Sequence, residues 1–362
     1  MRTTWLLLAL FVSGGGGCAA TKLTSKTGVQ GQQHETKKIT QIQLEPIKLK
    51  ASSVGGKTHI EVFDAHSLFE TGSQFLSSNA FRKAIDSYDK ILTNFPNSRF
   101  VVASLYNAGL AHEAIGEFEK ATERYKKIIQ KFKNSRDAVD AGFRLGGCYA
   151  ELQKWKESSD VFDALLYRND LTVEDRVEAF ARKGLAQFQM NDTQAARTTF
   201  RRASQYHSGL SISEQLDRDF YLAMVQFYLA AIPHRVFREL KVVAGPDLGN
   251  KLDEKARLLL VAQAGYIRTI KEKNPYWAAA AGFQVGSLYR EFYNVLMTSV
   301  PDFDGKAREN AEKARIPIEQ ALADLKQVYL EEVHKKVKPL LNKAIRVFEQ
   351  NLVMAQRVGV QS

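Results

Sequence analysis

The chain has 362 residues, of which 44% are hydrophobic and 25% are charged, and its formal net charge is +11 at pH 7. This balance is typical of a soluble globular protein. Beyond the N-terminus no run approaches the roughly 18 apolar residues of a membrane span, which excludes a further transmembrane helix. The positive charge favours anionic surfaces or acidic partners.

The N-terminus has the pattern of a secretory signal. Arg2 gives a positive start, residues 5–12 (WLLLALFV) form an apolar core, and small residues follow up to Cys18. The apolar core is too short to span a bilayer as a stable helix. We therefore expect residues 1–17 to be a signal peptide and the mature chain to be exported.

The junction Gly15-Gly16-Gly17-Cys18 resembles a bacterial lipobox, although Gly15 stands where leucine is usual. The resemblance implies that Cys18 carries acyl chains, including palmitate, and becomes the mature N-terminus, which gives a stable membrane anchor. Ala19 is similar to the second residue of Gram-negative lipoproteins that are sorted to the outer membrane, and it implies a periplasm-facing position there. An ordinary signal peptide cleaved elsewhere is the alternative.

Residues 18–61 are predicted to be the lipidated cysteine and a flexible basic linker. Residues 18–56 contain six lysines against two glutamates. These lysines could bind anionic lipid or peptidoglycan, or they could serve only to keep the segment soluble. Apolar and polar residues alternate at 42–44 and 47–49 around Pro46, which predicts an edge strand that either pairs with a partner's sheet or lies along its own domain.

A 37-residue register runs through residues 62–210 and relates equivalent positions of successive units. The equivalent sets are Phe81, Phe118 and Trp155; Phe69, Tyr106 and Phe143; Gly72, Gly109 and Gly146; and Ala84, Ala121 and Ser158. Self-similarity at this period indicates about four stacked units. In each unit, apolar residues three and four apart predict two helices, helix A and helix B. The fourth unit, with Gly184 and Ala196, is one residue out of phase.

The small residues have a physical reason in this pattern. Two antiparallel helices need a small residue where their axes come closest, so we expect the glycine of helix A to meet the alanine of helix B. Large residues one turn away would fill the remaining space. Bulk at Gly109 or Ala121 should then force the helices apart, at a cost of roughly 1–3 kcal/mol.

The pattern resembles the tetratricopeptide repeat, with an aromatic residue or Leu, Leu-Gly and Tyr on helix A, and with Ala, an aromatic residue, Ala and a closing Pro on helix B. That repeat has a 34-residue period, and the additional residues here fall between units, around residues 97–100. Residues 95–98 (FPNS) and 133–135 (KNS) resemble the repeats of Gram-negative envelope lipoproteins, including the barrel-assembly lipoprotein and the periplasmic coordinator of the Tol–Pal system. The resemblance implies an all-α helical solenoid.

Residues 211–362 are predicted to be a degenerate helical region of the same kind. We expect a helix pair at residues 218–230 and 236–243, another helix at 255–270, and a charged helix at 306–335.

Residues 281–289 (AGFQVGSLY) echo 141–149 (AGFRLGGCY), which predicts a diverged helix A. Its helix B is expected only after an insertion, with Ala344 and Phe348 in the last helix. The block 274–360 resembles the C-terminal part of repeat lipoproteins from gliding bacteria, whose motility machinery spans the envelope.

The resemblance also implies where a partner binds, because helix A lines the concave face in this family. The outward positions of helix A that we expect to form a partner groove are Phe69, Leu76, Tyr106, Glu113, Phe143, Glu151 and Phe188. Phe69, Tyr106 and Phe143 recur at the repeat period, so they should form an aromatic stripe suited to an extended peptide or a helix. The alternative is that these rings pack against the next repeat.

No pattern indicates an enzyme, a cofactor or a metal. Seven histidines are scattered, and no His-Glu-x-x-His, Cys-x-x-Cys, Walker or nucleophile-elbow motif is present. His66 and His112 fall on helix A, where a packed or capping histidine is expected. With Cys18 lipidated, Cys148 has no disulfide partner and is expected to be a buried structural thiol. Export argues against nucleic acid as a partner.

These patterns favour a lipid-anchored scaffold that faces the periplasm at the outer membrane and binds other envelope proteins. The C-terminal resemblance implies an envelope-spanning gliding-motility complex; the alternative scaffold role is assembly of outer-membrane barrels or secretins. A second hypothesis is binding of peptidoglycan or an anionic polysaccharide through basic surface, which salt should weaken. A third is a hydrolase in the C-terminal helices, which would need paired carboxylates in a cleft.

Overall fold

The computed structural model describes residues 46–54, 57–217, 219–243 and 247–357. Within these ranges two strands are followed by thirteen helices. No helix in the described ranges is both long and apolar enough to cross a membrane. The predicted signal peptide and the lipidated Cys18 lie outside the described residues.

The first element in the described residues is a hairpin of two antiparallel strands, β1 (Ile47–Val54) and β2 (Lys57–Asp64). Ile47 lies opposite Asp64 and Val54 lies opposite Lys57. The strand predicted at 47–49 therefore exists and pairs within its own chain. The prediction that the linker extends to residue 61 was wrong, because residues rich in Thr, Ile, Val and Phe follow position 57 and favour a second strand.

Eight helices then form four consecutive pairs, and each helix packs against the next along the chain. The pairs are α1 (Ala65–Ser77) with α2 (Phe81–Asn94), α3 (Val101–Ala114) with α4 (Phe118–Lys131), α5 (Arg136–Glu151) with α6 (Trp155–Leu166), and α7 (Val173–Gln189) with α8 (Thr193–Ser208). The first helices of neighbouring pairs also touch, α1 with α3 and α3 with α5. The predicted stacked helix pairs and the all-α repeat fold are confirmed.

The turn inside each pair uses one left-handed residue at the same repeat position. Those residues are Asn79 (φ 59°), Gly116 (φ 74°), Gln153 (φ 56°) and Asn191 (φ 64°). A left-handed residue after the last helical turn reverses the chain, and Gly and Asn adopt this conformation at the lowest cost. The extra residues of the long register lie between pairs, in the segment from 95 to 100, as the sequence predicts.

The glycine of each first helix makes room for an aromatic ring of the second helix. A Cβ on Gly72, Gly109, Gly146 or Gly184 would lie within 2.7 Å of the facing ring. The facing rings are Tyr88, Tyr125, Phe162 and Phe200, all fully buried. In the third pair Ser158, at the alanine position of helix B, donates a hydrogen bond to the Gly146 carbonyl at 2.9 Å, so the expected approach of the two small residues is confirmed there. The space beside each glycine is filled by the large flat side chain.

Five further helices continue the stack after residue 219. They are α9 (Phe220–Glu239), α10 (Leu248–Lys271), α11 (Pro275–Thr298), α12 (Asp304–Ala314) and α13 (Ile318–Arg357). α9 packs on α7, α8 and α10, α10 packs on α11, and α13 packs on both α11 and α12.

Two helix boundaries in this region differ from the sequence prediction. The expected pair at 218–230 and 236–243 is the single helix α9. This helix continues through Pro233 because two residues that follow the proline, His234 and Phe237, are buried in the core. Proline removes one helical hydrogen bond, and tertiary packing offsets that loss. The expected charged helix at 306–335 is divided into α12 and α13, since Arg315 has φ 56° and Pro317 follows it.

The late second helix of the last pair is confirmed. α11 packs along α13, and a Cβ on Gly286 would lie 2.6 Å from the ring of Phe348. This is the same glycine-to-ring contact that the four regular pairs use, although α12 and the larger part of α13 lie between the two residues in the chain. The degenerate region therefore keeps the packing rule of the repeat.

Candidate protein-binding surface

Three aromatic side chains on the first helices of the first three pairs form a repeated row, which we call the aromatic row. Each ring is half-buried and packs against the core, including the fully buried ring of its own pair. The ring pairs and centroid distances are Phe69 with Tyr88 at 5.8 Å, Tyr106 with Tyr125 at 5.8 Å, and Phe143 with Phe162 at 6.1 Å. The row is thus held by the fold and partly open to a partner.

The first ring of the row also contacts the following pair. Phe69 stacks on Phe100, the residue before α3, with ring centroids 5.0 Å apart. The alternative prediction, packing against the next repeat, therefore describes part of the environment of Phe69. In the fourth pair the position equivalent to Phe143 is Ala181, which is fully buried, so the aromatic row ends at the third pair.

The other predicted groove residues have different surroundings. Glu113 is largely sequestered, since its carboxylate accepts hydrogen bonds from Tyr125 Oη at 2.5 Å and from Arg144 Nη1 at 3.4 Å. It therefore joins the second pair to the third and is not a free acidic contact. Leu76 is half-buried against the core of the first pair, and Glu151 is exposed at the end of α5.

Phe188 does not belong to an open groove, so that prediction was wrong. Its side chain is 8% exposed and lies 5.2 Å from the ring of Tyr228 on α9. The guanidinium carbon of Arg235 lies 3.5 Å from the Phe188 ring centroid, and Arg235 also donates to the Phe188 carbonyl. The cause is the packing of α9 on α7, which covers this end of the first helix.

Sequence reasoning missed a polar column that runs beside the aromatic row. Asn107, Arg144 and Arg182 occupy one repeat position. Asn107 and Arg182 contact the helix-B ring of the preceding pair, whereas Arg144 binds Glu113 of the preceding pair. Asn107 Nδ2 donates to Tyr88 Oη at 3.2 Å, while the Arg182 guanidinium carbon lies 5.9 Å from the Phe162 ring centroid. The 37-residue register could have found this column, because its members are 37 and 38 residues apart.

Charge along this surface is balanced. Arg144 faces Glu113, and Arg182 Nε lies 2.7 Å from the Glu178 carboxylate. The arginines are partly exposed, so they add hydrogen-bond donors beside the rings without making the surface strongly basic. Such a mixture of half-exposed rings and arginine is typical of protein-binding surfaces.

A second polar cluster joins α9, α10 and α11. His234 is buried and lies 3.0 Å from Tyr266 Oη and 3.1 Å from the carboxylate of Glu291, which Arg238 also binds. Burial acts to raise the pKa of Glu291, but hydrogen bonds from His234 and Arg238 lower it to about 2. Burial lowers the pKa of His234. The cluster satisfies buried polar groups and ties three helices together.

His112 and Cys148 take the structural roles that the sequence predicts. His112 is 3% exposed, and its Nδ1 lies 2.8 Å from the carboxylate of Glu117 before α4. Burial lowers the pKa of His112 and raises the pKa of the Cys148 thiol, which is 2% exposed. A buried thiol with a raised pKa is a poor nucleophile. Within the described ranges, no group of His, Cys, Asp or Glu is arranged to hold a metal ion.

Comparison with known proteins identifies the repeat. The family model of the tetratricopeptide repeat matches residues 103–135 and 178–209, which correspond to the second and fourth helix pairs. No curated protein has a significant sequence match to this chain. These two segments therefore match the tetratricopeptide repeat, and such repeats indicate a scaffold for protein–protein interaction.

Solved structures include similar chains at low identity. MamA from Desulfovibrio magneticus RS-1 is 13% identical, with 55% of this chain and 96% of that chain covered and a TM-score of 0.37. A tetratricopeptide repeat protein from Parabacteroides merdae ATCC 43184 is 14% identical, with 80% and 98% covered and a TM-score of 0.37. PilF from Pseudomonas aeruginosa is 18% identical, with 62% and 92% covered and a TM-score of 0.36. Scores this low support no inference on function.

Proposed function

We propose that this chain is a lipid-anchored scaffold that faces the periplasm at the outer membrane, where its repeats bind other envelope proteins. The observation that carries the binding role is the aromatic row, in which Phe69, Tyr106 and Phe143 repeat with ring contacts of 5.8 to 6.1 Å. A half-exposed ring that the fold already holds loses little conformational freedom on binding, so it is well suited to anchor a partner.

The kind of partner follows from the chemistry of the row. Rings at regular spacing, with arginine and asparagine donors beside them, suit an extended segment or an amphipathic helix that places apolar anchors at matching intervals. The C-terminal resemblance favours a partner in an envelope-spanning gliding-motility complex. A barrel or a secretin under assembly is the alternative partner of the same surface.

The first prediction tests the row. Replacing both Tyr106 and Phe143 with Ala should weaken partner capture at least about tenfold, because two of the three anchoring rings are removed from the aromatic row. Crosslinking in intact envelopes, followed by affinity purification of the variant with Cys18 present, would measure the loss and identify the partner.

A matched control separates the row from general loss of aromatic surface. Tyr167 follows α6, is 81% exposed, and lies outside the aromatic row. Tyr167→Ala should capture the partner as the unmodified chain does. Circular dichroism should show unchanged helix content in both variants, and unchanged capture by the double variant would contradict the proposed binding surface.

The second prediction concerns the anchor. Cys18→Ala should release the protein into the soluble fraction when membranes are washed with alkaline carbonate, because the acyl chains would have no attachment site. Cys148→Ala should leave the protein in the membrane fraction, since that thiol is buried in α5. Metabolic labelling with palmitate should mark the unmodified chain and Cys148→Ala but not Cys18→Ala. Label on Cys18→Ala would refute anchoring at this residue.

A further inference from the structure

The N-terminal hairpin presents an apolar face to solvent. In its register Leu49 lies opposite Val62 and Ala51 lies opposite Ile60, so alternation places these residues and Ile47 on one face. The exposed fractions are 67% for Ile47, 72% for Leu49, 66% for Ile60 and 60% for Val62. We call this set, with Ala51, the aliphatic face.

The opposite face of the hairpin rests on the first repeat. Phe63 of β2 lies with its ring centroid 6.0 Å from that of Phe95, in an edge-to-face contact, and Lys48 Nζ lies 5.7 Å from the centroid of the same ring. A half-buried sheet normally turns its apolar side inward. Here the body of the protein contacts the face with Lys48 and Phe63, and the aliphatic face remains uncovered.

The size of the aliphatic face argues against a second copy as the occupant. Four large side chains are far fewer than the roughly 20–30 residues that each partner contributes to a stable protein interface. Its composition also argues against a protein partner, since anchors in such interfaces are enriched in Trp, Tyr and Arg. A flat aliphatic surface suits the acyl boundary of a bilayer, which needs no complementary shape.

The chain before the hairpin points to the same occupant. Residues 19–45 separate Cys18 from the hairpin, and the linker that their composition predicts would span roughly 30 Å on average. A lipid on Cys18 would therefore keep the hairpin at the membrane surface. Residues 19–45, ahead of the hairpin, carry four lysines against two glutamates, and lysines beside an anionic membrane strengthen binding to it.

We propose that the hairpin is a second membrane contact, with its aliphatic face in the interfacial layer of an anionic bilayer. The open strand edges would stay at the hydrated headgroup level, because hydrocarbon cannot satisfy unpaired backbone groups. The contact would fix the first repeat close to the membrane and leave the aromatic row for protein partners. This inference rests on the proposed membrane location, but the hairpin binds without the acyl chains.

The test uses the full mature chain with Cys18→Ala, which carries no lipid. It should co-sediment with vesicles of equal parts phosphatidylethanolamine and phosphatidylglycerol, and much less with vesicles of phosphatidylcholine alone. Changing the cross-strand pair by Leu49→Thr and Val62→Thr keeps residues that favour strands and should reduce binding at least about tenfold. The matched control is Leu260→Thr with Val261→Thr on α10, at sites 62% and 51% exposed, which should bind normally.

Three results would overturn the inference: no binding of the Cys18→Ala chain to anionic vesicles, equal binding to both vesicle types, or unchanged binding of the Leu49→Thr, Val62→Thr variant. A dimer in sedimentation velocity that this variant abolishes would also overturn it, because a second copy would then cover the aliphatic face. If Cys18 proves unmodified in cells and the vesicle results hold, the hairpin contact stands and the lipid anchor of the proposed function fails.

Discussion

Gly146→Ala is expected to destabilise the repeat array, although alanine is the better helix former by about 1 kcal/mol. A Cβ at this position would lie 2.4 Å from Cζ of Phe162. Phe162 is 1% exposed, so its ring cannot withdraw without opening the core of the third helix pair. Overpacking of this kind costs roughly 1–3 kcal/mol. Urea unfolding followed by circular dichroism should show a lower midpoint than that of the unmodified chain.

The neighbouring glycine supplies the control. A Cβ on Gly147 would meet only Arg182 Nη1, at 3.5 Å, which is an ordinary contact. Gly147→Ala gains the same helix propensity without the clash, so its free energy of unfolding should be unchanged or higher by up to about 1 kcal/mol. Equal shifts of the midpoint for the two variants would show that the glycine-to-ring contact does not limit packing.

The sequence was sufficient to predict the repeats but not which side chain comes nearest to each glycine. A fixed period identifies equivalent residues, because equivalent positions of successive units have the same packing surroundings. It does not say which residue of the second helix lies nearest to the Cβ position of the glycine, since Ala84 and Tyr88 both recur on that helix. The distance from the Gly72 Cβ position to the Tyr88 ring, 2.7 Å, answers that question.

The positions of the aromatic side chains follow the register where it holds and depart from it where it shifts. Phe69, Tyr106 and Phe143 obey the 37-residue spacing and form a row on the first helices. The fourth pair is one residue out of phase, so Phe188 corresponds to Ala150 and faces the following helix. Composition also gave a wrong prediction at the hairpin. A segment rich in Lys and Ser is typical of a linker, but the alternating apolar and polar residues of this segment pair into strands.

The helix boundaries in the C-terminal region depend on tertiary contacts, which short sequence patterns do not predict. Pro233 is a strong helix breaker by propensity, yet α9 continues through it because Phe237 is buried against α10. The helix that pairs with α11 is α13, and the inserted helix α12 separates the two in the chain. The contact between Gly286 and Phe348 identifies this pair in the structure. Periodicity within a short window cannot show such a pair.

Trp277→Ala is expected to have the largest effect of a single change in the described part of the chain. Trp277 is 7% exposed, and its ring centroid lies 5.0 Å from that of Phe227, 5.4 Å from Phe220 and 6.0 Å from Tyr228. Its indole Nε1 has no hydrogen-bond partner among the described residues, so truncation removes apolar packing and leaves a cavity. A buried Trp→Ala change costs roughly 3–5 kcal/mol.

This loss falls at the junction between the regular repeats and the C-terminal helices, because Trp277 of α11 packs in one core with Phe200 of α8. Stability in a repeat array is approximately a sum of unit and interface terms, so Trp277→Ala should divide urea unfolding into two transitions. Tyr276→Ala is the matched control, since that neighbouring ring is 45% exposed and should shift the midpoint little. A single unshifted transition for Trp277→Ala would mean that the repeats and the C-terminal helices are not coupled through this core.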